Sequence, residues 1–321
     1  MQEISIKELE GYNIGQVEDK EGATGCTVLV CREGMRAGID VRGGGPASRD
    51  SELLNPIKAA QVIHGIVLAG GSAFGLSVAT GAMNYLEEND IGFDVSITKV
   101  PLVVQADIFD LTVGDCRARP NEKMGYEAAK RALEKPNYMD GNYGAGCGAT
   151  VGKILGMDYC MKSGIGSYAV QIGELKIGAI VVVNSLGDIF DHKTGKQIAG
   201  LLTEDKNSLR NTLDFMAEKN EVRDNKFVSN TTIGIIMTNA DFAKPELCKI
   251  AGMSHNGYAR AINPVHTSVD GDTIFAVANG KVKADIDVVG TVAAQVMSEA
   301  IIKALESAES AYGFKAMCDM K

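Results

Sequence analysis

Residues 230–240 read NTTIGIIMTNA. A mostly polar run, residues 218–230, leads into this stretch and is typical of an exposed loop. The β-branched and apolar residues that follow predict a buried strand that starts abruptly at Thr231. A threonine at the first position of such a strand would be held rigidly.

The sequence around this stretch predicts further strands and helices. Residues 177–183, IGAIVVV, predict a strand covered on both faces, and residues 273–278, TIFAVA, predict another. Apolar residues recur at helical spacing over residues 245–262 and 288–308. We expect antiparallel sheets covered by helices, because no GxGxxG motif opens a helix after the first strand, as a Rossmann sheet would need.

The N-terminal part alternates apolar runs with glycine-rich turns. Residues 26–31 predict a strand that ends at a charged turn, and residues 57–63 predict a helix segment. Residues 65–85 lack charged side chains and are long enough to cross a bilayer. Their five glycines and several polar residues favour a buried strand, a glycine turn and a helix instead. We interpret the turn GGSAFGL, residues 70–76, as structural, because it lacks the GK[ST] end of a phosphate-binding loop.

Composition restricts the function. The 321 residues include 32 Lys and Arg and 41 Asp and Glu, which gives a net charge of −9. An acidic surface repels phosphate backbones, and tryptophan is absent, so nucleic acid is not expected as a partner. The seven cysteines have irregular spacing and no CxxC, and the N-terminus, MQEISIKELEGYNIG, has no apolar signal segment. We therefore expect a cytoplasmic protein without a membrane partner.

The bond between Asn230 and Thr231 is the first candidate for chemistry. If the chain were cut there, the freed α-amine of Thr231 would have a pKa of about 7.7–8.0 and would lie beside its own hydroxyl. One residue would then supply both nucleophile and general base. The cut itself would be autocatalytic if the hydroxyl attacked the Asn230 carbonyl and water resolved the ester. The alternative is a β-branched residue that only starts a strand.

Two carboxylates flank a glycine in Asp270-Gly271-Asp272. In an extended chain both point to the same face, where they could hold the ammonium or hydroxyl of a catalytic residue. The alternative is a DG turn that joins two strands.

Asn184 and Lys153 are candidate partners of an oxyanion. Asn184 follows the apolar strand, where its amide could donate to an oxyanion or simply favour a turn. Lys153 lies in GATVGKILG, where it is either buried with a partner or shifted pKa, or a surface lysine with a buried stem. The four histidines show no HExxH spacing, which argues against a zinc site or a histidine triad.

Six segments in order resemble one family: VRGGGPASRDSELLNP, IHGIVLAGGSAFGL, GATVGK, VVVNSLGD, NTTIGIIMTNA and DGDTIFAVANG. They are similar to the L-aminopeptidase/D-esterase family of autoprocessing N-terminal-nucleophile peptidases. Its relatives include β-peptidyl aminopeptidases and nylon-oligomer hydrolases. The resemblance extends from about Gly15 to Ala308.

The resemblance implies roles for seven residues. They are Thr231 as nucleophile, Asn230 as the new C-terminus, Asn184 and Lys153 as oxyanion and positioning groups, Asp270 and Asp272 as the acidic pair, and Tyr143 as a wall of the substrate pocket. In the β-peptidyl aminopeptidases the nucleophile and the first acidic position are serines. This chain departs from that branch, so its substrate preference does not follow from it.

The resemblance also implies an α+β fold, a four-layer α/β/β/α sandwich shared with ornithine acetyltransferase, a homo-oligomer, and neither metal nor cofactor. We accordingly expect one catalytic domain, residues 1–321, that cleaves itself into an α chain, residues 1–230, and a β chain, residues 231–321. Its expected substrate is a small peptide or amide. The alternatives are an acyltransferase of the ornithine acetyltransferase type and a non-catalytic protein that binds a small molecule.

Overall fold

The computed structural model describes residues 1–219 and 230–320. In this part of the chain the α-helices are α1 (Val78–Glu88), α2 (Glu122–Glu134), α3 (Thr212–Lys219), α4 (Lys244–Ala261) and α5 (Ile286–Glu306). The strands are β1 (Gln2–Ile4), β2 (Asn13–Asp19), β3 (Thr24–Val41), β4 (Ala47–Arg49), β5 (Ile63–Ala69), β6 (Phe93–Asp94), β7 (Lys99–Val100), β8 (Val103–Asp107), β9 (Thr150–Val151), β10 (Met161–Lys162), β11 (Ile165–Ile172), β12 (Leu175–Val182), β13 (Asp188–Phe190), β14 (Gln197–Ala199), β15 (Ile233–Ala240), β16 (Ile262–Asn263) and β17 (Thr273–Val282).

Strand β3 belongs to two sheets. Its first half pairs with β2 and β5, and its second half pairs with β17. The pairing register shifts between Val30 and Met35, where Gly34 has a φ of 79° that favours glycine. The first sheet therefore has the order β2-β3-β5-β8-β4, and the second has the order β1-β11-β12-β15-β17-β3.

The two sheets stack face to face between two pairs of helices. Along β12, Ile177, Ala179 and Val181 pack with α4 and α5, whereas Ile180 and Val182 turn to the space between the sheets. The outer face of the first sheet packs with α1 and α2 in a separate apolar cluster. This alternation produces four layers, helices–sheet–sheet–helices, and confirms the expected α/β/β/α sandwich.

The sheets are mixed rather than purely antiparallel, contrary to expectation. Strands β15 and β17 run parallel and are joined by α4, and β5 and β8 are parallel as well. A helix long enough to cross back over the sheet permits such a parallel pair. The parallel pair β15–β17 positions the candidate site.

Two apolar stretches are long enough to suggest a membrane span. Residues 65–85 form most of β5, a 3-10 turn and most of α1. This agrees with the strand, glycine turn and helix predicted from the sequence. Helix α5 is long and apolar enough to cross a bilayer, but 61% of the apolar window is buried inside the protein. It packs against α4 and the second sheet, as a core helix does.

Candidate active site

Strands β15 and β17 bring the two candidate motifs together. Ile233 pairs with Thr273 in the parallel register, and an isolated parallel bridge joins Asn230 to Asp270. Both pairs are offset by the same number of residues, so Asn230-Thr231-Thr232 lies alongside Asp270-Gly271-Asp272. Most of the exposed loop predicted at residues 218–230 lies outside the described residues, in 220–229, and its first two residues belong to α3 instead.

Gly271 contacts the bond that is predicted to break. Its backbone N–H donates to the carbonyl oxygen of Asn230 at 2.9 Å. The Thr231 hydroxyl donates to the same oxygen. A Cβ at position 271 would lie 2.7 Å from the Thr231 Oγ1, so only glycine leaves room for the hydroxyl. Two donors thus polarise one carbonyl that has a hydroxyl beside it.

Asn184 contacts the other side of Thr231. Because Val182 pairs with Ile233 in the antiparallel pair β12–β15, the chain beyond β12 runs past Thr231. The Thr231 N–H donates to the main-chain oxygen of Asn184 at 2.8 Å. The Asn184 side chain accepts from the Thr150 N–H at 3.1 Å and donates through Nδ2 to the Phe109 carbonyl at 3.2 Å.

Lys153 reaches the site through Asn184. Its Nζ donates to the Asn184 Oδ1 at 2.8 Å and to the Asn184 main-chain oxygen at 3.1 Å. The Lys153 N–H also donates to the Leu186 carbonyl, which fixes the backbone beside the chain that follows β12. The lysine is 2% exposed, and this burial lowers its pKa from 10.5 to about 7. Of the two alternatives that the sequence left open, the structure shows the buried lysine with a partner rather than a surface lysine.

The buried side chains of Asp270 and Asp272 accept hydrogen bonds from backbone N–H groups instead of facing solvent. Asp272 Oδ1 accepts the Thr232 N–H at 2.8 Å, and Asp270 Oδ2 accepts the Thr267 N–H at 2.8 Å together with the Thr267 hydroxyl. Burial and the neighbouring Asp272 carboxylate raise the pKa of Asp270 from 3.8 to about 6. Asp270 therefore changes charge within the range where many enzymes work.

The glycines of VRGGGP form a close cover over the acidic loop. Gly45 N–H donates to the Asp270 carbonyl at 2.8 Å. A Cβ on Gly43 would lie 2.3 Å from the Asp272 N, and one on Gly44 would lie 2.5 Å from the Ser268 carbonyl oxygen. These contacts require glycine at both positions, which explains a motif that the sequence alone showed only as a loop.

The structure thus brings together Asn230, Thr231, Asn184, Lys153, Asp270 and Asp272. Tyr143 lies in a half-buried turn, where the Lys20 Nζ is 5.6 Å from its ring centre, and its substrate-pocket role stays a prediction. Sequence reasoning missed Gly271 and Thr267, and it set aside His266, whose Nδ1 lies 2.8 Å from Asp272. The signal for Gly271 was its place between two acids.

The glycine turn at residues 70–76 already binds a carboxyl group of the protein itself. Gly71 N–H donates to the Asp110 Oδ1 at 2.7 Å, and the Ser72 N–H donates to the Ile108 carbonyl. The Asp110 carboxyl group therefore occupies this position, as the structural interpretation requires. In residues 1–219 and 230–320, no group of three or more His, Cys, Asp or Glu side chains is placed to hold a metal ion.

Comparison with solved structures defines the class of the fold. The L-aminopeptidase D-Ala-esterase/amidase of Ochrobactrum anthropi, described as a variant of the Ntn hydrolase fold, superposes with a TM-score of 0.67. The match covers 95% of this chain and 86% of that one at 16% sequence identity. This protein therefore has the fold of the N-terminal-nucleophile hydrolases.

Sequence comparison then gives the family. Residues 5–318 match the model of peptidase family S58. An uncharacterized aminopeptidase of Mycobacterium leprae (strain TN) is 33% identical across 98% of this chain and 94% of that protein. The 6-aminohexanoate-oligomer endohydrolase of Agromyces sp. (strain KY5R) is 29% identical across 92% of this chain and 84% of its own length. The chain belongs to peptidase family S58 and is a hydrolase, which confirms the resemblance found in the sequence.

Proposed function

We propose that this protein cleaves its own chain between Asn230 and Thr231 and then uses Thr231 as the N-terminal nucleophile of an aminopeptidase for small peptides or amides. One observation carries the proposal. The Asn230 carbonyl accepts both the Gly271 N–H and the Thr231 hydroxyl, so the bond to be cut is polarised beside its nucleophile. Membership of a peptidase family and relatives named as aminopeptidases support the same activity.

Self-cleavage begins when the Thr231 hydroxyl turns a lone pair toward the Asn230 carbonyl carbon. The Oγ1–C bond forms, and the Gly271 N–H stabilises the negative charge on the carbonyl oxygen. The C–N bond then breaks, and the hydroxyl proton passes to the Thr231 nitrogen. Water adds across the resulting ester, which leaves a carboxylate on Asn230 and restores the Thr231 hydroxyl. The freed α-amine begins the β chain, residues 231–321.

Turnover repeats this chemistry on an external amide. The α-amine of Thr231 takes the proton from its own hydroxyl as the oxygen attacks, and it returns the proton to the leaving amine. Water then hydrolyses the acyl-enzyme by the reverse sequence of proton transfers. The Asn184 carbonyl orients the amine at the position where it now accepts the Thr231 N–H.

The remaining groups set charge and geometry. Lys153 and the Asn184 amide supply donors to the substrate oxyanion, and the Lys153 ammonium is held against Asn184 at 2.8 Å. Asp272 fixes the Thr232 N–H, and Asp270 supplies a carboxylate near the lysine. Lys153, Asn184, Asp270 and Asp272 thus act together around Thr231.

A direct test compares the intact masses of four purified chains. Wild-type protein and Thr231→Ser are expected to split into residues 1–230 and 231–321, because both carry a hydroxyl at the first position of the strand. Thr231→Ala is expected to stay whole and inactive. Thr232→Val is the matched control, because the adjacent Thr232 hydroxyl is buried without a hydrogen-bond partner in the described part of the chain. Cleavage of the Thr231→Ala chain would refute the proposal.

Substrate class is tested on the split protein. L-amino acid 4-nitroanilides, short peptides and linear 6-aminohexanoate oligomers probe the activities that the names of the relatives suggest. Addition of glutamate as an amine acceptor separates hydrolysis from acyl transfer, because only a transferase makes N-acyl glutamate. The expected homo-oligomer stays a prediction that light scattering of the same sample measures.

A further inference from the structure

Asp272 links the residue after the nucleophile to His266. The Asp272 carboxylate is 1% exposed. One of its oxygens accepts the Thr232 N–H at 2.8 Å. The other accepts two donors from His266, the backbone N–H at 3.1 Å and the ring Nδ1 at 2.8 Å. The backbone that carries Thr231 is therefore connected to a histidine through a single carboxylate.

The ring of His266 packs against two aromatic side chains of α4. It packs against His255, with ring centres 4.8 Å apart, and lies 6.1 Å from the ring centre of Tyr258. Both neighbours come from α4, whose His255 Nε2 lies 3.1 Å from the Asp40 carbonyl oxygen. The backbone of His266 is left-handed, with a φ of 57°, a conformation that glycine, asparagine, aspartate and histidine adopt more readily than most residues.

The arrangement leaves polar atoms without partners. Opposite a carboxylate, the Nδ1 of His266 is the donor of the hydrogen bond to Asp272. The Nε2 of the same ring is buried without a hydrogen-bond partner in the described part of the chain, and so is the Nδ1 of His255. Buried unpaired polar atoms are costly and are retained where a site needs them.

We propose that His266 is a positioning residue for the reaction at Thr231, because it holds Asp272 in the orientation that fixes the Thr232 N–H. Through this contact His266 keeps the Thr231 hydroxyl in register with the Gly271 N–H and the Asn230 carbonyl. His266 itself touches no reacting atom. The inference rests on the proposed function, since it gives His266 a role in the self-cleavage and turnover assigned there.

The test uses two variants that tolerate a left-handed backbone. His266→Gly removes the ring donor, whereas His266→Asn places an amide NH₂ close to the position of Nδ1. We expect His266→Gly to slow self-cleavage and to lower kcat by about 10- to 100-fold, because one hydrogen bond to a charged group is lost. KM is expected to stay within about twofold of the wild-type value. His266→Asn is expected to recover both rates to within about threefold of wild type.

A histidine–carboxylate contact outside the site supplies the matched control. His192 Nε2 lies 3.5 Å from Glu299, both side chains are 12% exposed, and the His192 Nδ1 is likewise buried without a partner in the described chain. His192→Asn is expected to leave self-cleavage and kcat unchanged. All variants are compared as folded protein, separated by size exclusion and checked by circular dichroism.

The outcomes separate this inference from the proposed function. If wild-type protein splits and hydrolyses a 4-nitroanilide while His266→Gly matches it, His266 has no positioning role. If His266→Asn is as slow as His266→Gly, ring packing rather than the donor matters, and the inference is again wrong. If wild-type protein neither splits nor hydrolyses, the proposed function fails first. A loss confined to KM would also overturn the positioning role.

Discussion

Lys153 and Thr231 donate to one oxygen atom, the main-chain carbonyl oxygen of Asn184. The Thr231 N–H lies 2.8 Å from it and the Lys153 Nζ lies 3.1 Å from it. After self-cleavage the α-amine and the ammonium would therefore stand on either side of a single carbonyl. A neighbouring positive charge favours the neutral amine, which is the form that accepts a proton. Lys153 would thus activate the base as well as bind the oxyanion.

Lys153→Met removes the ammonium and keeps the length of the side chain. We expect self-cleavage and kcat to fall by about 10²- to 10³-fold, the usual loss for one oxyanion donor. Stopped time points on a denaturing gel measure self-cleavage, and hydrolysis of a 4-nitroanilide by the split fraction measures kcat.

Lys162→Met is the control for this loss. Lys162 is as deeply buried as Lys153, and burial likewise lowers its pKa to about 7. Its Nζ donates instead to the carbonyl oxygens of Gly146, Ala149 and Ser163. Removal of this ammonium should lower the unfolding free energy and leave the activity of the folded fraction unchanged. Equal losses of kcat in the two variants would show that Lys153 acts only through stability.

The pH dependence of turnover should follow Asp270 and Lys153. The pKa of Asp270 is raised by burial to about 6, so its carboxylate is charged only above that pH. The pKa of Lys153 is lowered by burial to about 7, so its ammonium is present only below that pH. The α-amine of Thr231 must also be neutral to act as the base, and the Lys153 ammonium lowers its pKa. We therefore expect kcat/KM to rise as Asp270 and this amine lose their protons and to fall through about pH 7 as Lys153 loses its own, as a bell-shaped profile.

Lys153→Arg tests the alkaline side of this profile. A guanidinium stays charged across the whole accessible range, so the fall near pH 7 should disappear while the rise near pH 6 persists. A profile that keeps its alkaline fall in Lys153→Arg would assign that titration to another group.

Gly271→Ala should block self-cleavage, because the added Cβ would crowd both the Thr231 hydroxyl and the Gly45 carbonyl oxygen, which would lie 2.9 Å from it. The added Cβ would lie 2.7 Å from the Thr231 Oγ1 and would push the hydroxyl away from the Asn230 carbonyl. We expect a rate at least about 100-fold lower, because misplacement of a reacting atom by about an ångström costs that much. Gly45→Ala is the control in the covering loop, since its Cβ would meet nothing closer than 3.9 Å. Normal cleavage in Gly271→Ala would contradict the close approach.

Sequence periodicity predicted the elements that carry the site. Residues 177–183, 273–278 and 288–308 correspond to β12, β17 and α5 within a few residues. Each is a long apolar run or a regular helical pattern, for which the local pattern and the tertiary environment agree. The resemblance identified the residues that meet at Thr231, because the six motifs occur in one order.

Contacts set by long-range pairing could not be predicted. The strand expected at residues 26–31 continues to Val41 through Arg32 and Glu33, because β3 leaves one sheet there and enters the other. The helix expected at residues 57–63 is wrong, since these residues are turn and loop until β5 begins at Ile63. The apolar spacing of residues 204–220 also predicts a helix, and in the structure this helix begins only at Thr212. The register between β15 and β17 determines which backbone group lies beside Asn230, and no local sequence pattern predicts that register.

Asp188 links pH to the stability of the segment that leads toward the cleavage site. It is fully buried and accepts the Leu201 N–H, the Thr212 N–H and the Thr212 hydroxyl, so it holds the first residue of α3. Burial raises its pKa from 3.8 to about 6 despite these donors. A carboxyl whose pKa is raised on folding favours the folded state below the unfolded pKa, and that contribution is lost as pH rises through about 6.

Asp188→Asn imitates the neutral acid and should remove this pH dependence. Thr231→Ala serves as the background in which both proteins stay uncleaved. Relative to the Asp188→Asn protein, the unfolding free energy of the protein that retains Asp188 should fall by on the order of 2 kcal/mol between about pH 4 and pH 6.5. Guanidinium unfolding at several pH values measures the difference between the two proteins. A difference that stays constant across this window would show that Asp188 keeps its ordinary ionisation in the folded protein, and that the donors from Leu201 and Thr212 offset its burial.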